Sequence, residues 1–191
     1  MKFIPFIPEK FPEIIEKLNA GEVFVFPSDT SFGFSADPFS LEAIRHIQRI
    51  KKRDEKKPFL LLVADMEMAE KYGEFSEEMR KFAIERWEKT EIPTTILVHK
   101  KPVLHEFFRE FPEIGIRVPC DFRIREFLSL WGKPLISTSA NISGEAPLFS
   151  EKEIQNKFHD HKIFFTSFGN LSPKPQSEIW KSENTKLVRV R

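Results

Sequence analysis

The chain has 191 residues, 40% hydrophobic and 31% charged, the balance of one folded domain over residues 1–191 rather than of a disordered polymer. No apolar run approaches the roughly 20 residues a membrane helix needs, and the proline-broken start 1–10 lacks the apolar core and small-residue cleavage site of a secretory signal. A single cysteine, Cys120, excludes an internal disulfide and a multi-cysteine metal site, so a reducing cytoplasm is the expected location.

Thirty basic and 29 acidic side chains leave a net charge of +1, too little for a global field that attracts nucleic acid. The charge is unevenly spread. Residues 45–57 hold seven Lys or Arg against two acids, a local +5 that leaves −4 for the rest of the chain. Such a segment suits a bound anion, although on charge alone a solvated helix end is the favoured reading.

In chain order, residues 9–18 are expected to form a short helix closed by Asn19-Ala20-Gly21, and 22–26 a buried strand stopped by Pro27. Leu41, Ile44, Ile47 and Ile50 recur at helical spacing behind Ser40, predicting a capped helix over 41–51. A strand over 59–63 follows, then helices over 66–72 and 76–87, the second opening on Ser76 without a capping-box carboxylate at Met79. Strands are expected at 94–99 and 114–118, a helix over 122–131 ended by Gly132, and a strand from Pro134 to Thr138. After a turn-rich stretch over 139–150 come a short helix, a strand over 162–166 and two further strands. This order predicts an α/β fold with one twisted, mixed sheet and flanking helices. Phe, 21 of the 25 aromatics, reads as core material.

Four segments carry possible chemistry. Pro27-Ser28-Asp29-Thr30-Ser31-Phe32-Gly33 leaves a buried strand and offers hydroxyls and a carboxylate to a polar ligand, or a turn that satisfies itself. Lys51-Lys52-Arg53-Asp54-Glu55-Lys56-Lys57-Pro58 suits phosphates, since Arg binds two oxygens in plane and Lys supplies a point charge. Arg117, among apolar neighbours, needs an internal or a substrate carboxylate. Ser137-Thr138-Ser139-Ala140-Asn141-Ile142-Ser143-Gly144 is either a neutral donor set for phosphate oxygens or a capped loop. Neither a Walker loop, nor GxGxxG, nor Gly-x-Ser-x-Gly, nor HExxH is present.

Taken in order, these segments resemble the YrdC/Sua5 family: the hydroxyl loop at 27–33, Lys51-Lys52-Arg53 with Lys57-Pro58, Arg117-Val118-Pro119, and Ser139-Ala140-Asn141-Ile142-Ser143-Gly144. Ser177-Glu178-Ile179 after Lys174-Pro175 resembles that family's short, bacterial TsaC-type members. The resemblance implies a YrdC-like fold around an open basic cavity. It implies formation of threonylcarbamoyl-AMP and pyrophosphate from L-threonine, bicarbonate or CO2, and ATP, the product serving adenosine 37 of tRNA. By the same resemblance Lys51, Arg53, Lys57, Ser139, Asn141 and Arg189 would bind ATP, with Lys51 and Arg53 catalytic. Ser28, Thr30, Thr95, Arg117, Thr138 and Ser177 would bind threonine.

Mg2+ would enter with ATP, with no prosthetic group and no dedicated metal site. The partners implied are a downstream threonylcarbamoyl transferase and, weakly, RNA or tRNA, with no membrane association. The chain departs from the family at Ser28 and Phe32, where Thr and Tyr are usual, at Glu91-Ile92-Pro93-Thr94-Thr95, where Pro-Gly-Pro-x-Thr is usual, and after Arg189, where no glycine follows. Two other readings stand beside the synthase. One is a YrdC-like module that binds nucleotide or double-stranded RNA without turnover. The other is a relative acting on another carbamoyl acceptor, disfavoured because the zinc-finger and acylphosphatase-like domains expected there are missing from this sequence.

Overall fold

The computed structural model describes residues 1–54, 58–104, 106–183 and 186–191. In chain order its regular elements begin β1 (Lys2–Pro5), α1 (Phe11–Asn19), β2 (Phe24–Phe26), β3 (Gly33–Ala36), α2 (Leu41–Lys51), β4 (Leu60–Leu62), α3 (Met66–Tyr72) and α4 (Glu77–Lys89). They continue with β5 (Thr94–His99), β6 (Glu113–Arg117), α5 (Phe122–Trp131), β7 (Leu135–Ser139), α6 (Glu151–Phe158), β8 (Phe164–Ser167), β9 (Glu178–Glu183) and β10 (Lys186–Arg189). The fold is α/β with mixed strand pairing, as expected. By contacts the chain divides into two compact units, Met1–Lys57 with Ile136–Lys174, and Pro58–Leu135 with Pro175–Arg191.

In the first unit the strands run in the order β1, β8, β2, β3, β7. β8 is parallel to both β1 and β2, whereas β2–β3 and β3–β7 are antiparallel. Phenylalanines fill this core. Phe6 lies 4.9 Å from Phe11 and 5.0 Å from Phe26 by ring centroids, and Phe34 meets Phe158 edge-on at 4.9 Å. Two strands here were not anticipated. β1 ends on Pro5, which fits a strand with a neighbour on one side only. β3 is Gly-Phe-Ser-Ala, buried at all four positions, so it shows no alternation of polar and apolar residues. Its first residue must be small. A Cβ at Gly33 would lie 3.0 Å from both Ser137 Oγ and the Thr138 carbonyl oxygen of β7.

α2 begins where Ser40 Oγ accepts the Ala43 N–H. Its end is unusual. Lys52 adopts the left-handed conformation (φ 49°), the one non-glycine positive φ among the described residues. The Arg53 N–H reaches the Gln48 carbonyl and the Lys52 N–H the Arg49 carbonyl, which closes the helix in a Schellman motif. That turn stops the helix between Lys51 and Arg53.

In the second unit the order is β4, β6, β5, β9, β10. β4–β6 and β5–β9 are parallel, and β5–β6 and β9–β10 antiparallel. Helix α5 is capped by Asp121, whose side chain accepts the Arg123 N–H, and ends at Gly132 with φ 75°. Ser76 caps α4 by accepting the Met79 N–H, so a carboxylate at the third helical position is not needed there. Near the strand junction Glu178 accepts hydrogen bonds from Arg86 and from Trp180 Nε1, and pairs with Arg189 at 2.9 Å. These contacts tie α4, β9 and β10 together.

Candidate active site

The site residues fall into clusters that each unit builds for itself. In the first unit, the loop leaving β2 is organised by Ser28. Its Oγ donates to the Ser31 carbonyl at 2.6 Å, accepts the N–H groups of Thr30 and Ser31 at 3.2 Å, and lies 3.0 Å from Thr30 Oγ1. The self-satisfying turn is therefore real, and it fixes the half-buried Thr30 hydroxyl rather than removing it.

The second cluster joins the end of α2 to the loop after β7. Lys51 is 2% exposed, yet three neutral oxygens receive its ammonium: the carbonyls of Ser139 (2.5 Å) and Asn141 (2.8 Å), and Asn141 Oδ1 (3.0 Å). An ammonium has three hydrogens, so these contacts use all of them. Ser139 Oγ also donates to Asn141 Oδ1 at 2.6 Å, which fixes the amide with Nδ2 toward the Glu145 carbonyl at 2.5 Å. The Ser143 N–H closes the knot on the Lys51 carbonyl at 2.9 Å. Burial, and then the positive charge of Arg53, push the Lys51 amine down to about 7. Burial also lowers Arg53, with Asp54 acting in the opposite direction. Lys51, Ser139 and Asn141, 90 residues apart in sequence at the extreme, thus form one polar knot.

Thr138 pairs with Phe34 across the β3–β7 ladder, with its side chain half-buried. Lys57, expected on the phosphate side, lies outside the described residues.

In the second unit, Thr95 Oγ1 and Ser177 Oγ sit 3.0 Å apart, both residues buried, in a ladder that pairs Thr95 with Ile179. The methyl group of Thr95 lies against a glycine: a Cβ at Gly115 would lie 3.0 Å from Thr95 Cγ2. Arg117 ends β6 and is 3% exposed. Arg189 takes a different course from these residues. It is 55% exposed at its side chain, pairs with Glu178 and donates through Nε to the Arg191 carbonyl at 2.8 Å. The residue that reaches the Thr95–Ser177 pair is Arg191, which the motif reading did not name. Its Nε donates to the Ser177 carbonyl and its Nη2 to Ser177 Oγ, each at 3.2 Å. Arg-Val-Arg alternation, which sets residues 189 and 191 on one side of an extended chain, was the available signal.

Among the described residues no group of three or more His, Cys, Asp or Glu is placed to hold a metal ion, and no helix is long and apolar enough to cross a membrane.

Comparison with known proteins identifies the family. The Sua5/YciO/YrdC family model, described as "Telomere recombination", matches residues 16–191. A threonylcarbamoyl-AMP synthase of Wigglesworthia glossinidia brevipalpis is 30% identical over 93% of this chain and 91% of that protein. One of Vibrio campbellii is 26% identical over 95% and 98% respectively. Among solved structures, P. abyssi Sua5 complexed with L-threonine superposes with a TM-score of 0.86 at 19% identity. It covers all of this chain, which spans 56% of the Sua5 chain's length. E. coli YciO gives a TM-score of 0.83 at 21% identity, covering 100% of this chain and 93% of its own. The match over residues 16–191, nearly the whole chain, makes this protein a member of the Sua5/YciO/YrdC family.

Proposed function

We infer that the chain is a threonylcarbamoyl-AMP synthase, a nucleotidyltransferase that converts L-threonine, bicarbonate or CO2, and ATP into threonylcarbamoyl-AMP and pyrophosphate. The observation that carries this is reciprocal, near-full-length similarity to proteins of that name: 93% of this chain against 91% of one relative, 95% against 98% of another. The clusters fit the chemistry. In the reaction the threonine amine adds to the carbon of CO2 and loses a proton, giving a carbamate. A carbamate oxygen then attacks the α-phosphorus, and pyrophosphate leaves with the electron pair of the broken P–O bond. No side chain has to become covalently attached, so positioning and charge stabilisation supply the catalysis.

Within this reading Ser139, Asn141, Arg53 and Lys57 bind the nucleotide phosphates, and Arg53 meets the charge that grows on the leaving pyrophosphate. Lys51 sets Ser139 and Asn141 in place and adds its positive field. Arg117 pairs with the threonine carboxylate, while Thr95 and Ser177 offer hydroxyls to the amino acid. Arg189, tied to Glu178, approaches the nucleotide only by exchanging that partner. Mg2+ arrives as the counter-ion of ATP and is part of the substrate. The product, a reactive mixed anhydride, is passed to a threonylcarbamoyl transferase acting on adenosine 37 of tRNA, in the cytoplasm.

Pyrophosphate release tests the reading. With ATP and bicarbonate present, release is expected to depend on added L-threonine and to be poorly supported by L-valine, which lacks the hydroxyl. Release that ignores threonine contradicts it, and ATP binding without release contradicts it in favour of a nucleotide- or RNA-binding module.

A further inference from the structure

We propose that Arg86 and Glu178 are positioning residues of the amino-acid site: from the helix side of the sheet they lock the register of β9 on β5, and so bring Thr95 and Ser177 together on the other side. This deepens the synthase reading and rests on it. Successive side chains of an extended chain point to opposite faces, so the paired residues Thr94 and Glu178 share one face, and Thr95 and Ser177 share the other. Helix α4 covers the first face. Its Arg86 bridges the two strands, donating through Nε to Thr94 Oγ1 at 3.2 Å and through Nη2 to Glu178 Oε2. Glu178 is held from two further sides, accepting from Trp180 Nε1 at 3.0 Å and pairing with Arg189 at 2.9 Å. Phe82 of α4 packs on the Trp180 ring on the same face, with centroids 4.9 Å apart. On the second face the result is the 3.0 Å contact between the Thr95 and Ser177 hydroxyls.

The strand needs such a device. Residues 178–182 of β9 are all half-buried and Glu183 is exposed, so burial supplies no alternation that would hold the strand against slipping. The β5–β9 pairing is parallel and joins residues 82 apart in sequence, so no tight turn fixes it either. A slip of one residue would turn Ser177 away from Thr95 and put the Glu178 carboxylate on the Thr95 side. The bridge opposes that slip. The Arg86 and Glu178 side chains are only 18% and 17% exposed, and a slipped strand leaves the Arg86 charge without its carboxylate in a largely dry place. Arginine suits the task because two N–H groups on one edge of its planar fork reach both strands at once, which a single ammonium does not do in a fixed geometry.

The test is a double-mutant cycle in the full chain: Glu178→Ala, Ser177→Ala and the two combined. It reads the threonine KM and the ATP KM from pyrophosphate release, and the binding of L-threonine by calorimetry. Glu178→Ala is expected to raise the threonine KM about tenfold, with the ATP KM within about twofold. In the Ser177→Ala background the same change should add less than about twofold, because the hydroxyl it positions is already gone. Arg86→Lys keeps the charge without the two-pronged bridge and should raise the threonine KM about threefold or more. It takes the place of Glu178→Ala in the cycle if that variant does not fold. A full tenfold rise in both backgrounds would overturn the proposal, since Glu178 would then act without Ser177. An unchanged threonine KM in Glu178→Ala would overturn it too, as would equal losses for threonine and ATP, the mark of a general loss of folded protein. Any of these results with a wild type that shows threonine-dependent release sinks this proposal alone. A wild type that neither releases pyrophosphate with threonine nor binds it sinks the synthase reading as well.

Discussion

The polar knot around Lys51 and the cluster around Ser177 solve opposite problems. At the knot a buried ammonium directs its three hydrogens to protein oxygens, and the amide of Asn141 is fixed from both ends. Its charge organises a loop. At Ser177 the Arg191 guanidinium donates to the carbonyl and the hydroxyl of one residue, each at 3.2 Å, beside the Thr95 hydroxyl. Its fork holds a single residue at the start of a strand rather than a whole loop. A lysine's compact ammonium suits the first task and an arginine's planar fork the second, so the choice of cation in each place follows from geometry.

Breaking one cluster at a time gives the largest expected effect. Arg53→Ala should lower kcat/KM for ATP by about a hundredfold or more, with the far-UV circular dichroism unchanged, whereas Arg117→Ala should act mainly on the threonine KM. Equal effects of both variants on both substrates would erase the division of labour between the clusters. Lys51→Met keeps the stem but removes the knot, and kcat/KM for ATP is expected to fall by about tenfold to a hundredfold. Because the lost role is one of positioning, most of that loss should persist at saturating ATP. A loss confined to the ATP KM would make Lys51 a direct phosphate ligand.

The same lysine gives a pH signature of smaller size. Its pKa is about 7 in the folded chain and near 10.5 when unfolded, so between these values the unfolded state binds the extra proton. Stability contributed at this site therefore rises with pH from about 7 toward 10, by at most about 1.4 kcal/mol per pH unit, and is lowest below 7, where the buried amine is charged. Urea unfolding at pH 7 and pH 9 should show the wild type gaining on Lys51→Met at the higher pH, and parallel midpoints would contradict the shift. The smallest effect is expected at Lys52. Lys52→Gly relieves the left-handed strain at the end of α2 and should stabilise the chain by about 0.5–1 kcal/mol. A destabilised variant would show that the Lys52 side chain makes a compensating contact.

Much of this was legible in the sequence, for physical reasons that differ by element. The helix over 41–51 is seen at the predicted bounds because its apolar spacing, its Ser40 cap and its basic end all point the same way. The strand at 94–99 and the helix at 122–131 are likewise found where expected, the latter stopped by Gly132. Strand β3 was hidden because burial on every side removes the alternation that marks a strand. At the site, the family motifs named Lys51, Ser139 and Asn141, but a motif gives membership without the direction of hydrogen bonds. That Lys51 serves the loop, and that Ser28 is the hub of its own turn, follow only from the folded coordinates. Arg191 was missed for a related reason. The family pattern drew attention to Arg189, while pairing with Glu178 takes that side chain elsewhere.

The most direct measurement is mass spectrometry of the nucleotide product after incubation with ATP, L-threonine and 13C-labelled bicarbonate. The account predicts an adenylate that contains threonine and carries the label, formed together with pyrophosphate. An adenylate without the label, or no adenylate despite ATP binding, would contradict it.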